Sequence, residues 1–302
     1  MESEPLRRRF GINVHPGVDR EDEAFARARI ADEHGLDFIS LMDHPYNHEL
    51  YDTWTLLTAL AMRTERVHLL TNVLNTLLRP PAMLAKAAAT LDRLSNGRLE
   101  LGVGAGAYVD GVAGFGGPTG SPGERYQAFK ESLEIIRGLW DSGGEPFSFD
   151  GTAHRLTNAT FGPIPTRAIP IWIGAGGPRM LRLTGRLGDG ILVSAPYVPP
   201  EQLPEVHRLI DEGAAQAGRP PTAIRRGYNL MGLLDTGAGG RIRARPGLIA
   251  GDVDHWVQTI ERFARDNRMD TFTFWPVAGD ELRQVEVFAT EVVPSLRARW
   301  MA

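Results

Sequence analysis

Short apolar runs alternate with longer segments of helical periodicity along the whole chain. FGINV (10–14), FISLMDH (38–44), VHLLTNVLN (67–75) and LELGVGAG (99–106) read as strands, because their apolar residues are contiguous and bounded by polar or turn-forming ones. Between them, EDEAFARARIADEHG (21–35) places Ala24, Phe25, Ala28 and Ala31 on one helical face and stops at Gly35. DTWTLLTALAMRT (52–64) offers Asp52 as a cap ahead of Trp54, Leu57, Leu60 and Ala61, and a further helix runs from Pro80 to Leu94. A glycine-rich loop then leads into the helix GERYQAFKESLEIIRGLWD (123–141). The second half repeats the scheme with PIWIGAG, ILVSAP (191–196), GYNLMGLLD (227–235) and TFTFWPV (271–277), and with helices over 177–188, 201–217, 252–267 and 280–299. Residues 143–166 break the alternation; their aromatic-polar pattern and the Asp150-Gly151 pair suggest a hairpin or extended excursion between helix 4 and strand 5.

Eight strand-then-helix units, with strands apolar on both faces, match an α/β fold of the closed (β/α)8 TIM-barrel type, as a single domain over 1–302. An open doubly wound sheet is the alternative, but FGINVHPG carries no glycine fingerprint after the first strand. Composition narrows the partners. A formal charge of -4 gives no electrostatic reason to expect nucleic acid or an anionic membrane. Arg7, Arg8 and Arg9 are followed by no signal-peptide core, and no apolar run approaches a membrane span, so a soluble cytoplasmic protein is expected. The absence of cysteine excludes disulfides and thiolate chemistry.

In a barrel of this kind the active site lies at the C-terminal ends of the strands. The residues standing there are Asn13 and His15; Asp43 and His44; Thr71, Asn72 and Asn75; Gly104, Ala105, Gly106 and Ala107; Gly176 and Gly177; Ser194; Asp235; and Trp275. A histidine such as His44 can act as acid or base near neutral pH, with His15 and His48 as weaker candidates. His44 and His48 have HxxxH spacing but fall in a proline-containing loop without a matching ligand group, so no metal is expected. Asn72 inside an apolar strand is an oddity, since a buried amide needs partners. Either a polar bulge or a simple strand cap would account for it. In IPIWIGAGGPRMLRLTGRLGDG (169–190) a strand ends in glycines and a helix begins at once. The free N–H groups of that helix start suit an anion, although glycines can also serve only a tight turn.

ARIADEHGLDFISLMDH, TNVLN, LDRLSNGRLELGVGAG and PIWIGAGGPRMLRLTGRLGDG together resemble, in order and spacing, the luciferase-like monooxygenase superfamily of flavin- and deazaflavin-dependent oxidoreductases. The resemblance implies a bacterial-luciferase-like (β/α)8 barrel with a non-prolyl cis peptide at Asn72-Val73. It implies a phosphate grip at Gly176, Gly177 and Pro178, and cofactor contacts from Asp43, Thr71, Asn72, Val73, Gly104, Ala105, Gly106 and Ala107. His44 would be the catalytic residue, and His15, Tyr46, Trp54, Tyr108, Phe115 and Trp275 would line the substrate pocket. GAGGPRM is similar to the branch that uses coenzyme F420 for hydride transfer; FMN with oxygen insertion is the alternative, and a cofactor-binding barrel without turnover a third. The sugar-phosphate dehydrogenases of the F420 branch have GTGE where this chain has GAGA, so Ala107 stands in place of their acid. A small-molecule substrate, a homodimer and a separate flavin or F420 reductase are the implied partners. Arg241, Arg243 and Arg245 lie in a loop that would either close over the mouth or stay in solvent.

Overall fold

The computed structural model of the chain describes residues 7–237, 242–243 and 245–301. β1 (Arg9–Asn13) leads to α1 (Glu21–Glu33) and β2 (Phe38–Leu41) to α2 (Thr53–Ala61). β3 (His68–Thr71), continued by the two-residue β4 (Leu74–Asn75), leads to α3 (Pro81–Leu94). After β5 (Leu99–Gly104) come a short α4 (Val109–Gly114), the long α5 (Pro122–Asp141), and an antiparallel hairpin of β6 (Phe147–Asp150) and β7 (Arg155–Ala159). β8 (Ile171–Gly174) precedes α6 (Pro178–Leu187), and β9 (Gly190–Ser194) precedes α7 (Leu203–Gln216). The chain continues through β10 (Arg225–Leu234), β11 (Leu248–Gly251), α8 (Val253–Asp266) and β12 (Thr271–Pro276). A π turn at Phe288–Val292 joins α9 (Glu281–Val287) to α10 (Val293–Met301).

Among the described residues, β1, β2, β3, β5, β8, β9, β10 and β12 pair in parallel in that order, and β12 returns to β1. The expected (β/α)8 barrel is therefore closed, with the excursion present as the β6–β7 hairpin. Asp52 caps α2 as anticipated, accepting from Thr55 N at 2.9 Å. Boundaries shift by a few residues, the expected helix over 280–299 is split by the π turn, and three differences bear on the mouth and the ring. The second strand ends at Leu41, because Met42, Asp43 and His44 leave the ladder to form the mouth. The third is broken after Thr71, and β11 is an addition that pairs with the far half of β10 outside the ring.

The barrel interior is layered. Its middle is a buried cluster of Phe38, Leu70, Trp172 and Leu192, with Val73 packed above it. A Cβ at Gly11 would lie 2.4 Å from the Phe38 ring, so the absent side chain on β1 makes room for the aromatic one on β2. At the N-terminal end of the barrel a single buried carboxylate gathers four strands. Glu100 on β5 accepts two bonds from Arg9 on β1, at 2.9 and 2.5 Å, and one from Trp172 Nε1 on β8 at 2.7 Å. His68 Nδ1 on β3 lies 2.8 Å away. Burial alone would raise the Glu100 carboxyl; His68 and Arg9 outweigh it and hold the group far below the usual carboxylate range.

Removing one member of a buried ion pair leaves the other charge uncompensated, so Glu100→Gln should cost about 3–5 kcal/mol in urea unfolding. The contribution has a defined pH sense. A folded-state value below the unfolded one gives stability that is complete above the unfolded pKa of about 4.3 and lost as pH falls toward the folded value. The gap between wild type and Glu100→Gln should hold from neutral pH to about 4.3 and narrow only below it. A gap that closes between pH 7 and 5 would show that Glu100 is not the group responsible.

Candidate active site

The site begins where the third strand leaves its neighbour. β3 pairs with β5 as far as Leu70 opposite Glu100, and β4 resumes with Leu74 opposite Val103, so three residues of one strand face two of the other. Across this bulge the Thr71 hydroxyl replaces the ladder: it donates to Gly102 O at 2.7 Å and takes a bond from Gly102 N at 2.8 Å. The peptide Asn72-Val73 within the bulge is cis. A Cβ at Gly102 would stand 1.8 Å from Thr71 O, and Cβ atoms at Gly104 and Gly174 would stand 2.9 and 2.8 Å from Val73 Cγ2. Glycine on two adjacent strands is thus what lets Val73 lean into the mouth.

The Asn72 oddity is resolved by partners across the barrel. Its Nδ2 donates to Asn229 Oδ1 at 2.8 Å, and Asn229 Nδ2 reaches Asn72 Oδ1 at 3.2 Å and Ser194 Oγ at 3.0 Å. Asp43 is buried, and both its oxygens are engaged within the chain, by Asn75 N at 2.9 Å and by Arg79 at 3.1 Å. Arg79 also reaches Asp52 at 2.7 Å. Asp43 therefore shapes the wall of the site, with each oxygen held by a partner within the chain. His44, beside it, stands at the mouth with Nδ1 3.0 Å from the Tyr46 hydroxyl. Partial burial draws its pKa below the usual histidine value, against the smaller opposing pull of Asp43.

These residues border a cavity of about 630 Å³ at the barrel mouth. Of the residues expected to meet a cofactor or substrate, it brings together Asp43, His44, Asn72, Val73, Gly104, Ala105, Gly106, Ala107, Gly176 and Trp275. Thr71 lies buried beneath it, and Gly177 and Pro178 stand just beyond its lining at the start of α6. Five residues expected in the substrate pocket stand outside the lining of this cavity. Tyr46 sits behind His44, with Tyr108 edge-on to it at 5.1 Å, because the chain turns outward after His44. Trp54 packs from α2 onto the outer core, and His15 lies beside Gly17, within 2.9 Å of where its Cβ would be. Phe115 is exposed and borders a different cavity. Arg241 lies outside the described residues, and Arg243 and Arg245 are exposed. Among the described residues no group of His, Asp and Glu could hold a metal.

Several lining residues were not anticipated: Arg125 and Tyr126 from the first turns of α5, Met180 from α6, Leu192 from β9, Tyr197 and Val198 after it, and Asn229 from the middle of β10. Only Asn229 gave a sequence signal, a lone amide in an apolar run. At the other edge, Gly176 and Gly177 precede α6, whose start has no side-chain cap. A Cβ on either glycine would meet nothing within 4 Å, and neither has a left-handed φ. Neither packing nor backbone conformation requires glycine there; the space before the free N–H groups is open, as an anion seat requires.

A family model described as luciferase-like monooxygenase matches residues 7–236. The chain is 35% identical over 218 residues to an F420-dependent glucose-6-phosphate dehydrogenase of Nocardia farcinica, covering 69% of this chain and 64% of that protein. It is 34% identical over 216 residues to a 5,10-methylenetetrahydromethanopterin reductase of Archaeoglobus fulgidus, covering 72% and 61%. The matched region thus spans less than two thirds of either relative. Among solved structures, an F420-dependent secondary alcohol dehydrogenase in complex with an F420-acetone adduct superposes with a TM-score of 0.85 at 22% identity, over 97% of this chain and 100% of that one. That likeness carries the fold.

The lowered pKa of His44 makes a direct prediction. In an NMR titration its ring should change protonation below the ordinary value of 6.5, leaving a neutral imidazole at pH 7. A midpoint at or above 6.5 would mean that the Asp43 charge dominates.

Proposed function

We propose, from the premise that this chain belongs to the luciferase-like monooxygenase family, that it is an F420-dependent oxidoreductase transferring hydride between the deazaflavin and a small organic substrate. The observation that carries this reading is the composition of one cavity: a glycine-backed bulge at Val73, an open uncapped helix start at Gly176-Gly177, and His44 between them. The names of the relatives direct the choice toward F420. The residues fit such a group. Gly176, Gly177 and Pro178 would hold its phosphate at the start of α6. Val73 and Asn72 would support the ring from behind, and Gly104 to Ala107 would border it. When bound, the deazaflavin supplies a carbon that accepts or returns hydride and does not activate oxygen.

The chain's own part is to orient the substrate, exclude water and move one proton. With Nδ1 beside the Tyr46 hydroxyl, His44 has Nε2 free for the substrate. As a neutral imidazole it would take the proton of an alcohol hydroxyl there, and in the reverse direction its protonated form would return one to a carbonyl oxygen. Ala107 supplies no acid, Lys86 and Lys130 lie on α3 and α5 outside the cavity, and the one cationic side chain in its lining, Arg125, stands beside Gly106 on the side we assign to the cofactor. Its walls are mainly apolar, with Val73, Leu74, Met180, Leu192, Val198 and Trp275, so the substrate we favour is an uncharged alcohol or ketone rather than a sugar phosphate.

We also place the protein in the cytoplasm as a homodimer supplied by a separate F420 reductase. Exposed Met62, Met83 and Leu94 around α2 and α3 support an interface there. No helix among the described residues is long and apolar enough to cross a membrane.

Anaerobic fluorescence titration with F420 and with FMN tests the reading: F420 should bind and FMN should not compete at equal concentration. Selective binding of reduced FMN would move the chemistry to oxygen insertion. Gly177→Ala should leave the melting temperature unchanged while weakening F420 about ten-fold, through loss of close approach to charge-assisted donors. His44→Ala should keep F420 affinity within a few-fold and lower turnover on the order of 10²–10⁴-fold. Unchanged turnover would remove His44 from the mechanism.

A further inference from the structure

A cavity of about 370 Å³ lies at the N-terminal end of the barrel, opposite the mouth. Its lining comes from the starts of the ring strands: Arg9 on β1, Asp37 just ahead of β2, His68 on β3, Glu100 on β5 and Arg225 on β10. Arg7 and Arg167 complete the charged wall, and Pro170 is the one apolar residue of the lining. The charges there do not balance. Glu100 is held by Arg9, and Asp37 takes both Arg7 and Arg297, each at 3.1 Å. Asp270 takes Arg225 at 3.2 Å. Arg167 has no carboxylate: its bonds among the described residues go to the carbonyls of Gly97, Ala168 and Leu99. Arg7, Arg9, Arg167, Arg225 and Arg297 are thus five guanidinium groups against the three carboxylates of Asp37, Glu100 and Asp270.

Carbonyl oxygens satisfy the hydrogen bonds of a guanidinium but not its charge, and cations gathered in a concave wall raise the local concentration of anions. The chain as a whole has a formal charge of -4, so the surplus is local to this end of the barrel. We propose that this cavity binds a phosphate group, free or at the end of a small monoester, against Arg7, Arg167 and Arg225. A phosphate dianion matches the excess of two positive charges, and its oxygens suit forked donors that arrive from separate segments. The charged lining offers nothing to a hydrocarbon ligand. Arg225 already reaches Arg7 O at 3.1 Å, so two of the three arginines stand together before any ion arrives. The bound group links β10 and the segment before β8 to the residues that lead into β1. Its effect is therefore on the stability of the closed end of the barrel, and the site does not depend on which cofactor the mouth holds.

Calorimetric titration with inorganic phosphate, at an ionic strength held constant with chloride, should show saturable binding, and the melting temperature should rise with occupancy. Arg167→Met should weaken phosphate about ten-fold, as expected for the loss of one charge-assisted partner, whereas Gly177→Ala at the mouth should leave this binding unchanged. If Arg167→Met fails to fold, Arg7→Ala, at a side chain that is 76% exposed, should weaken phosphate several-fold. Glycerol 3-phosphate titrated in parallel separates the two sources: tighter binding than phosphate assigns the site to a monoester, and equal or weaker binding assigns it to the free ion. A crystal grown with phosphate should place it between Arg167 and Arg225. Absence of saturable binding, indifference to both arginine substitutions, or phosphate found only at the start of α6 would each overturn the proposal. F420 binding is measured separately, so failure here leaves the reading of the barrel mouth untouched.

Discussion

The close approach of Thr71 to Gly102 is the constraint from which the functional end of the barrel follows. Any side chain at Gly102 would occupy the space of the Thr71 carbonyl, since its Cβ would fall 1.8 Å from that oxygen. With glycine there, one hydroxyl satisfies both backbone groups of Gly102, and the third strand can part from its neighbour without leaving polar groups unpaired. The strand then returns one residue out of step. That step turns Val73 into the mouth, sends the Asn72 amide across to Asn229, and brings Asn75 N onto Asp43. Three features of the site thus depend on one missing side chain.

The two ends of the barrel solve the problem of interior polarity in opposite ways. At the N-terminal end, Glu100 accepts from Arg9 and Trp172, with the His68 ring beside it, a closed arrangement that occupies the carboxylate within the chain. Such a network ties four strands together. At the C-terminal end the polar groups are arranged in pairs that leave their outer sides open: the Asn72–Asn229 couple, the His44 ring and the start of α6. Stability at one end and vacant donors at the other is the division expected of a barrel enzyme.

Much of this was legible in the sequence, because contiguous apolar runs and helical faces mark a barrel's two layers directly. The strands, the Asp52 cap and the hairpin excursion all came from local pattern. The site was legible only as a set of strand ends. That criterion named His44, Asn72, Gly104 and Trp275, which border the cavity and lie within three residues of a strand end. Tyr46, Trp54, Tyr108, His15 and Phe115 stand off the cavity's lining, because a loop or helix beyond a strand end can turn either way, and nothing local fixes which. The criterion passed over Arg125 and Tyr126, which reach the mouth from a helix that begins some twenty residues after its strand. Their position depends on the path of the intervening loop, a tertiary property with no local signature.

The pairing of Asp43 and His44 illustrates why neighbours in sequence need not act as a dyad. An adjacent carboxylate would ordinarily raise a histidine's pKa and favour the imidazolium. Here the Asp43 carboxylate is drawn into bonds with Asn75 and Arg79, and its pull on the ring is the smaller of the two effects. What remains at His44 is mainly the effect of partial burial, which favours the neutral ring. The Tyr46 hydroxyl then occupies one ring nitrogen of a residue that borders the cavity. A neutral imidazole with one free nitrogen suits moving a single proton to or from an alcohol oxygen. It does not suit fixing an anionic substrate by charge, and the apolar walls around it point the same way.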